Sequence, residues 1–213
     1  MKPEMKRIVF TIITASALLL CLDTFSQSSR FEIEDWEKGI NKRQPPEIVM
    51  DAVGFKPGMI VGEVGAGTGR MTLWIAERIG PEGKVYANDI DIGGLDQIRK
   101  RAKLADIRNI ETIIGDITDP KLPKNELDIV FIINVFHHLD DPLTILKNIR
   151  PSLKQDGYLA IVDCDPDKVS WGKAHGCTGE KEMKEILLQA GYNITDMPDV
   201  LKEDGIYLAK PTR

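Results

Sequence analysis

The chain has 213 residues, with 28 Lys and Arg against 33 Asp and Glu, so its net charge is −5. An acidic balance of this size argues against a nucleic-acid partner, which requires a basic face. The length suits a single domain, and no internal repeat or low-complexity tract interrupts it.

Residues 1–26 read as a targeting segment. Lys2, Lys6 and Arg7 make a positive start, and Ile8 to Leu22 is an apolar run of 15 residues. That run is shorter than the roughly 20 residues needed to cross a bilayer as a helix. Thr24 and Ser26 are small residues at −3 and −1 of a cut before Gln27. The expectation is an exported protein, periplasmic or secreted, with the segment removed. Membrane association through residues 8–22, as an uncleaved anchor, is the alternative. Lipid attachment at Cys21 is disfavoured because Leu20 before it is not small. Without residues 1–26, which carry three basic and two acidic side chains, the net charge moves from −5 to −6. Cys164 and Cys177 then remain. An exported protein can pair them, but a domain with a large core needs no staple, so free thiols are expected. No CxxC or Cys/His ligand spacing is present, and no metal is expected.

The fold proper starts with a polar stretch, Ser28 to Asn41, in which Phe31, Ile33, Trp36 and Ile40 recur at helical spacing. Gln44-Pro45-Pro46 breaks it, and Pro46 suits the first turn of a helix to about Val53. Residues 27–53 thus form a helical cap ahead of the main domain, 54–213. After the turn Gly54 to Gly58, Met59 to Val64 is apolar and β-branched, as a buried parallel strand should be. Gly65, Gly67 and Gly69 follow, then a helix from Arg70 to Arg78. Glycine lets the backbone turn sharply and lets a ligand lie against it, and the free N–H groups at a helix start receive polar or anionic groups. The spacing is GxGxG, and Arg70 stands where a dinucleotide fold has its third glycine. Glu63 precedes the first glycine by two residues.

A second strand, Lys84 to Asn88, ends in Asp89, an acid placed to take both hydroxyls of a ribose. Asp91 is its rival, further from the strand end. Gly94 to Ala105 reads as a helix whose basic face is solvated. Ile110 to Ile114 is the third strand, closed by Gly115-Asp116, and Asp128 to Val135 the fourth, apolar enough to be covered on both faces. Its end, Asn134 to His138, falls where an open α/β sheet reverses its strand order, the place where ligands bind. The adjacent His137 and His138 show no third metal ligand at suitable spacing. Asp141 and Pro142 start a helix to about Leu153. Gln155-Asp156-Gly157 reads as a turn and Tyr158 to Val162 as the fifth strand. Asp163 and Asp165 then reach the carboxyl edge, as a base, a cation contact or plain turn formers. Lys168 to Gly179, with Trp171, His175 and Cys177, is a candidate lid. A helix from Glu180 to Ala190 precedes a final antiparallel pair, Asn193 to Met197 and Ile206 to Lys210.

The stretches GEVGAGTGRMT, VYANDID, IIGDI and LDIVFIINVFHHLDDP together resemble the class I S-adenosylmethionine-dependent methyltransferases, over about residues 44–210. The resemblance implies an α/β fold, a doubly wound seven-stranded Rossmann-like sheet of order 3-2-1-4-5-7-6 with the last strand antiparallel. It implies S-adenosylmethionine as cofactor. Gly65 and Gly67 would pass beneath its methionine moiety, Asp89 would hold the ribose, Asp116 the adenine amino group and Ile117 the ring face. Glu63 and Asn134 complete the cofactor set. A leading helix would bring Trp36, Arg43 and Gln44 toward the methionine end, although a surface helix packed on the sheet explains them as well. The implied activity is methyl transfer to a small-molecule or lipid-like acceptor, entering over the fourth and fifth strand ends, with His137, His138 and Asp163 as catalytic candidates. Direct displacement at a sulfonium methyl works mainly by positioning. The rival classes are a nucleotide-cofactor oxidoreductase and a non-catalytic binding protein on the same fold.

Overall fold

The computed structural model describes residues 30–212. The expected export segment, with Cys21 and the cut before Gln27, lies outside the described residues. Two helices lead, α1 (Asp35–Arg43) and α2 (Pro46–Val53). Strands and helices then alternate: β1 (Ile60–Val64), α3 (Arg70–Ile79), β2 (Lys84–Asp89), α4 (Ile92–Leu104), β3 (Ile110–Ile114), β4 (Leu127–Ile133), α5 (Pro142–Ile149), β5 (Leu153–Cys164), α6 (Glu180–Gln189), β6 (Tyr192–Asp196) and β7 (Asp204–Pro211). The strands form one sheet in the order 3-2-1-4-5-7-6. β1 to β5 are parallel, and β7 is antiparallel to both β5 and β6. The expected sheet and strand order are therefore present. Among the described residues no helix is long and apolar enough to cross a membrane.

The core follows from strand periodicity. In β4, Ile129, Phe131 and Ile133 point to one face, against α2 and α3, while Val130 and Ile132 point to the other, against α5 and α6. A strand covered on both sides has no polar position to spare, which explains its unbroken apolar run.

Several boundaries differ from expectation for local reasons. α4 begins at Ile92, not Gly94, because the Asp91 carboxylate caps it by accepting from the Gly93 and Gly94 N–H groups. β4 stops at Ile133 because Asn134 takes a left-handed φ of +55°. α5 stops at Ile149: Pro151 has no N–H, and the chain tightens into a 3₁₀ turn over Arg150–Ser152. The expected turn at residues 155–157 is instead a bulge inside the 12-residue β5, whose pairing with β4 jumps from Leu127↔Leu153 to Ile129↔Tyr158. Gly157 is required there, since a Cβ would stand 2.6 Å from the Leu127 carbonyl oxygen.

The expectation of free thiols is corrected. Cys164, the last residue of β5, is joined to Cys177 by a disulfide with a Cα–Cα separation of 5.4 Å, a spacing ordinary for such bonds. The bridge fastens the candidate lid to the sheet edge. It spans 13 residues of sequence, and a loop of that length is worth about 3 kcal/mol in the chain-entropy account. Reduction in the presence of a chelator should therefore lower the melting temperature by roughly 6–12 °C for a domain of this size. An unchanged thermal transition by circular dichroism would show that the bridge carries no stability.

Candidate functional site

The turn between β1 and α3 is built from left-handed glycines, Gly65 at φ +75°, Gly67 at +56° and Gly69 at +91°. Gly65 and Ala66 both donate to the Asn88 carbonyl at 2.9 Å, which fixes the turn on the end of β2. A Cβ on Gly65 would stand 2.4 Å from Val135, so the residue after Asn134 packs directly on the turn. A Cβ on Gly67 would meet nothing within 4 Å: it would project into an open cleft. The Gly67 N–H donates to Asp89 Oδ2 at 2.7 Å, and Asp89 Oδ1 accepts from the Asp91 N–H at 2.9 Å. Asp89 thus faces the cleft, whereas Asp91 is used as the α4 cap.

The cleft has two lobes that meet at Gly65, Asp89 and Val135. The first, about 290 Å³, is bordered by Ile90, Asp116, Ile117, Pro120, His138 and Ile145. Asp116 is exposed and pairs with Lys121 Nζ at 3.0 Å. Ile90 and Ile117 are 63% and 65% exposed, apolar faces that an aromatic ring would cover. The second lobe, about 340 Å³, is bordered by Trp36, Ile40, Glu63, Thr68, Arg70 and Asn134. Both lie over the carboxyl ends of β1, β2 and β4, at the reversal of strand order. A larger cavity of about 680 Å³ lies at the amino ends of β2 and β3, the opposite edge.

Charged groups lie under the second lobe. Glu63 is 1% exposed and accepts from Thr72 Oγ1 at 2.5 Å. Burial pushes its carboxyl up to about 7, against the pull of the Thr72 hydroxyl and the Arg70 guanidinium. Burial pulls Arg70 down to about 10, so it remains a cation at neutral pH. Arg70 donates to Asn41 Oδ1 at 3.1 Å and to Gln44 Oε1 at 3.0 Å. Gln44 and Asn134 exchange amide hydrogen bonds at 2.8 and 2.7 Å, and Arg43 Nη2 donates to Asn134 Oδ1 at 3.0 Å. Arg43 and Gln44 therefore do reach the site, while Trp36, 48% exposed, borders it from the surface. Thr68 Oγ1 is buried with no protein hydrogen-bond partner.

The two histidine rings lie together, with centroids 3.9 Å apart, but they meet different surroundings. His138 is exposed and borders the first lobe. His137 Nδ1 lies 2.6 Å from Asp163 Oδ1, and its backbone N–H donates to Asp163 Oδ2 at 3.0 Å. His137 and Asp163 border neither lobe. Asp163 holds the loop rather than facing the cleft, and Asp165 forms a turn by accepting from the Asp167 N–H. Sequence reasoning passed over Arg70, Thr68 and Val135. Arg70 had a signal, as the residue occupying a glycine position, but its spacing alone did not show that it turns inward.

A family model described as a methyltransferase domain matches residues 62–161. A demethylmenaquinone methyltransferase from Listeria welshimeri is 32% identical over 123 residues, 57% of this chain and 52% of that one. The chain thus spans about half the length of the curated relatives it matches. The solved structure of a SAM-dependent methyltransferase from Aquifex aeolicus is 27% identical with a TM-score of 0.72, covering 84% of this chain and 98% of that one. Geranyl diphosphate C-methyltransferase from Streptomyces coelicolor, solved with S-adenosyl-L-homocysteine, shares the fold at a TM-score of 0.68 and 13% identity, with 85% of each chain covered. The fold and the glycine-turn site are those of the class I S-adenosylmethionine-dependent methyltransferases. The matched domain, the relatives and the solved neighbour together support a class I S-adenosylmethionine-dependent methyltransferase.

The Glu63 environment predicts a pH dependence. Its folded value lies above the ordinary 4.5, so the folded state binds the extra proton and stability falls as the pH rises from about 4.5 to 7. Glu63→Gln keeps an acceptor for Thr72 and removes the charge. It should be more stable than the parent by up to roughly 3 kcal/mol at pH 8, shrinking below about 1 kcal/mol at pH 5. Urea titrations at both pH values measure this, and a gain that does not change with pH would rule out a titrating Glu63.

Proposed function

We propose that this chain transfers a methyl group from S-adenosylmethionine to a small, lipid-like acceptor. The observation that carries the reading is the two-lobed cleft with the Asp89 carboxylate at its waist. The cleft fits the cofactor on two further counts: the Gly67 position is open where a side chain would fill it, and the buried Thr68 hydroxyl has no protein partner. When bound, the cofactor supplies an electrophilic methyl group on a sulfonium.

The chain's own residues hold and orient. Asp89 takes the ribose hydroxyls. Asp116 accepts from the adenine amino group, and Ile117 and Ile90 cover the ring. Glu63 and Arg70 carry the opposite charges that an amino-acid end requires, with Gly65, Gly67 and Asn134 as the wall beside it. The acceptor enters past Trp36 and Ile40, an apolar approach to the second lobe. His137 and Asp163 are positioning residues, because they fasten the loop from which Asn134 and Val135 project. His138 stays at the adenine side. Export is proposed with this activity, and the Cys164–Cys177 bridge favours it, since such bonds persist in oxidising compartments.

Calorimetry with S-adenosylhomocysteine tests the cofactor assignment. Asp89→Ala should weaken binding by roughly 1.5–3 kcal/mol, about 10- to 100-fold, by removing a charged acceptor from two hydroxyls. Equal affinity in the variant would remove Asp89 from the site. Transfer of labelled methyl to demethylmenaquinone, the acceptor in the relative's name, and to lipid extracts tests the reaction. Cofactor binding without labelled product in any fraction would favour a binding protein instead.

A further inference from the structure

Beside the cleft, a second cluster is assembled by the parallel pairing of β4 and β5. The Asn134 N–H donates to the Val162 carbonyl, so the residues just beyond each strand meet at the sheet edge. There His137, Asp163 and Cys164 each offer a ligand atom, all within 4.8 Å of one another. Asp163 and Cys164 are 2% and 3% exposed. Cys177 brings a second sulfur to the same point through the bridge. A disulfide by itself has no need of a buried carboxylate and an imidazole beside its sulfur. Taking an ionised carboxylate out of water is costly unless partners surround it.

We propose that the reduced form of this cluster is a binding site for a divalent cation of the zinc class, with Cys164 and Cys177 as thiolates, His137 as imidazole and Asp163 as carboxylate. An external dithiol would open it. Two electrons and two protons pass to the disulfide, the S–S bond breaks, two thiols form, and the dithiol leaves as its own disulfide. Cation binding then releases the two thiol protons to solvent. The donor set suits the ion: zinc takes thiolate, imidazole and carboxylate ligands at about 2.0–2.3 Å, four of them in a tetrahedral site. The carboxylate is already aimed, since the His137 and Cys164 N–H groups donate to it at 3.0 and 2.8 Å. The second sulfur can separate from the first because Cys177 follows a short 3₁₀ turn, Gly172–His175, and Gly176 at φ +75°. No sequence spacing announces the site, because its ligands come from three separate segments.

Cobalt(II), a coloured stand-in for zinc, tests the inference on the whole chain. The protein is reduced with dithiothreitol, freed of it by anaerobic gel filtration and titrated. The expected result is one Co²⁺ per chain with tetrahedral visible bands and a thiolate charge-transfer band, bleached by Zn²⁺ and absent from the oxidised protein. His137→Gln and Asp163→Asn should each lower the affinity by more than the roughly 10- to 100-fold lost with an outer-sphere partner. Reduced parent protein that binds no Co²⁺ would overturn the proposal, and this arm needs no variant to fold. Parental affinity in both variants would overturn it too, by reducing the site to a pair of thiols.

Discussion

A single buried amide ties the parts of the site together. Gln44 has no exposed surface. It donates to Asn134 Oδ1 and to Asp204 Oδ1, and it accepts from Arg70 Nη2 and Asn134 Nδ2. All its hydrogen-bonding capacity is in use. Those partners belong to the end of β4, the start of β7 and the first residue of α3, so one side chain joins the helical cap to three elements of the sheet domain. Removing it would strand buried atoms of an arginine, an aspartate and an asparagine, at about 1–3 kcal/mol each. The left-handed backbone of Asn134 depends on this anchorage, and from it the chain turns out of the sheet to set Val135 against Gly65.

The polar layer beneath the cleft is costly. Glu63, Arg70 and Asp204 are all nearly inaccessible to water. Burial pushes both carboxyls up, and at Asp204 the Arg43 cation and the Gln44 amide offset only part of that. A well-packed apolar layer of equal volume is often as stable as buried charge, or more so. The layer becomes intelligible if it faces a zwitterion: buried groups of both signs near one lobe hold an ammonium and a carboxylate in a fixed orientation, which surface groups under solvent screening do less well.

What was legible in the sequence is what short-range rules decide. The glycines must be glycines because of their left-handed φ and the nearness of Val135, and their spacing is visible without a structure. Asp89 was singled out by its place at a strand end, Asp116 by the family resemblance, and β4 by its unbroken apolar run. Elements whose limits depend on one residue's side chain, such as the Asp91 cap and the Asn134 stop, came out two residues off. The disulfide was misjudged because pairing depends on a Cα separation that no sequence carries. Both histidines stood as candidates because their spacing does not say what each ring meets: one reaches Asp163 on β5 and the other borders the first lobe, with the rings 3.9 Å apart. For Gln44 a site role and a surface helix stayed equally open, because its burial is imposed by elements far along the chain.

The loop after β4 is therefore held at two points, and the two points differ in kind. At Asn134 it is held by amides and a guanidinium, groups that do not react with thiols. At His137 it is held by Asp163, which is bonded to the backbone of a disulfide cysteine. Beyond that bridge lies the segment with Trp171, whose ring lies 5.6 Å from the Arg43 guanidinium, returning the contacts to the helical cap. The cap, the β4 loop, the end of β5 and the lid segment thus form a closed ring of contacts at the carboxyl edge of the sheet. Only the link through Cys164 and Cys177 is open to chemistry by a reductant, so a change of redox state acts on the ring at one place while the glycine turn and Asp89, fixed by backbone hydrogen bonds, stay as they are.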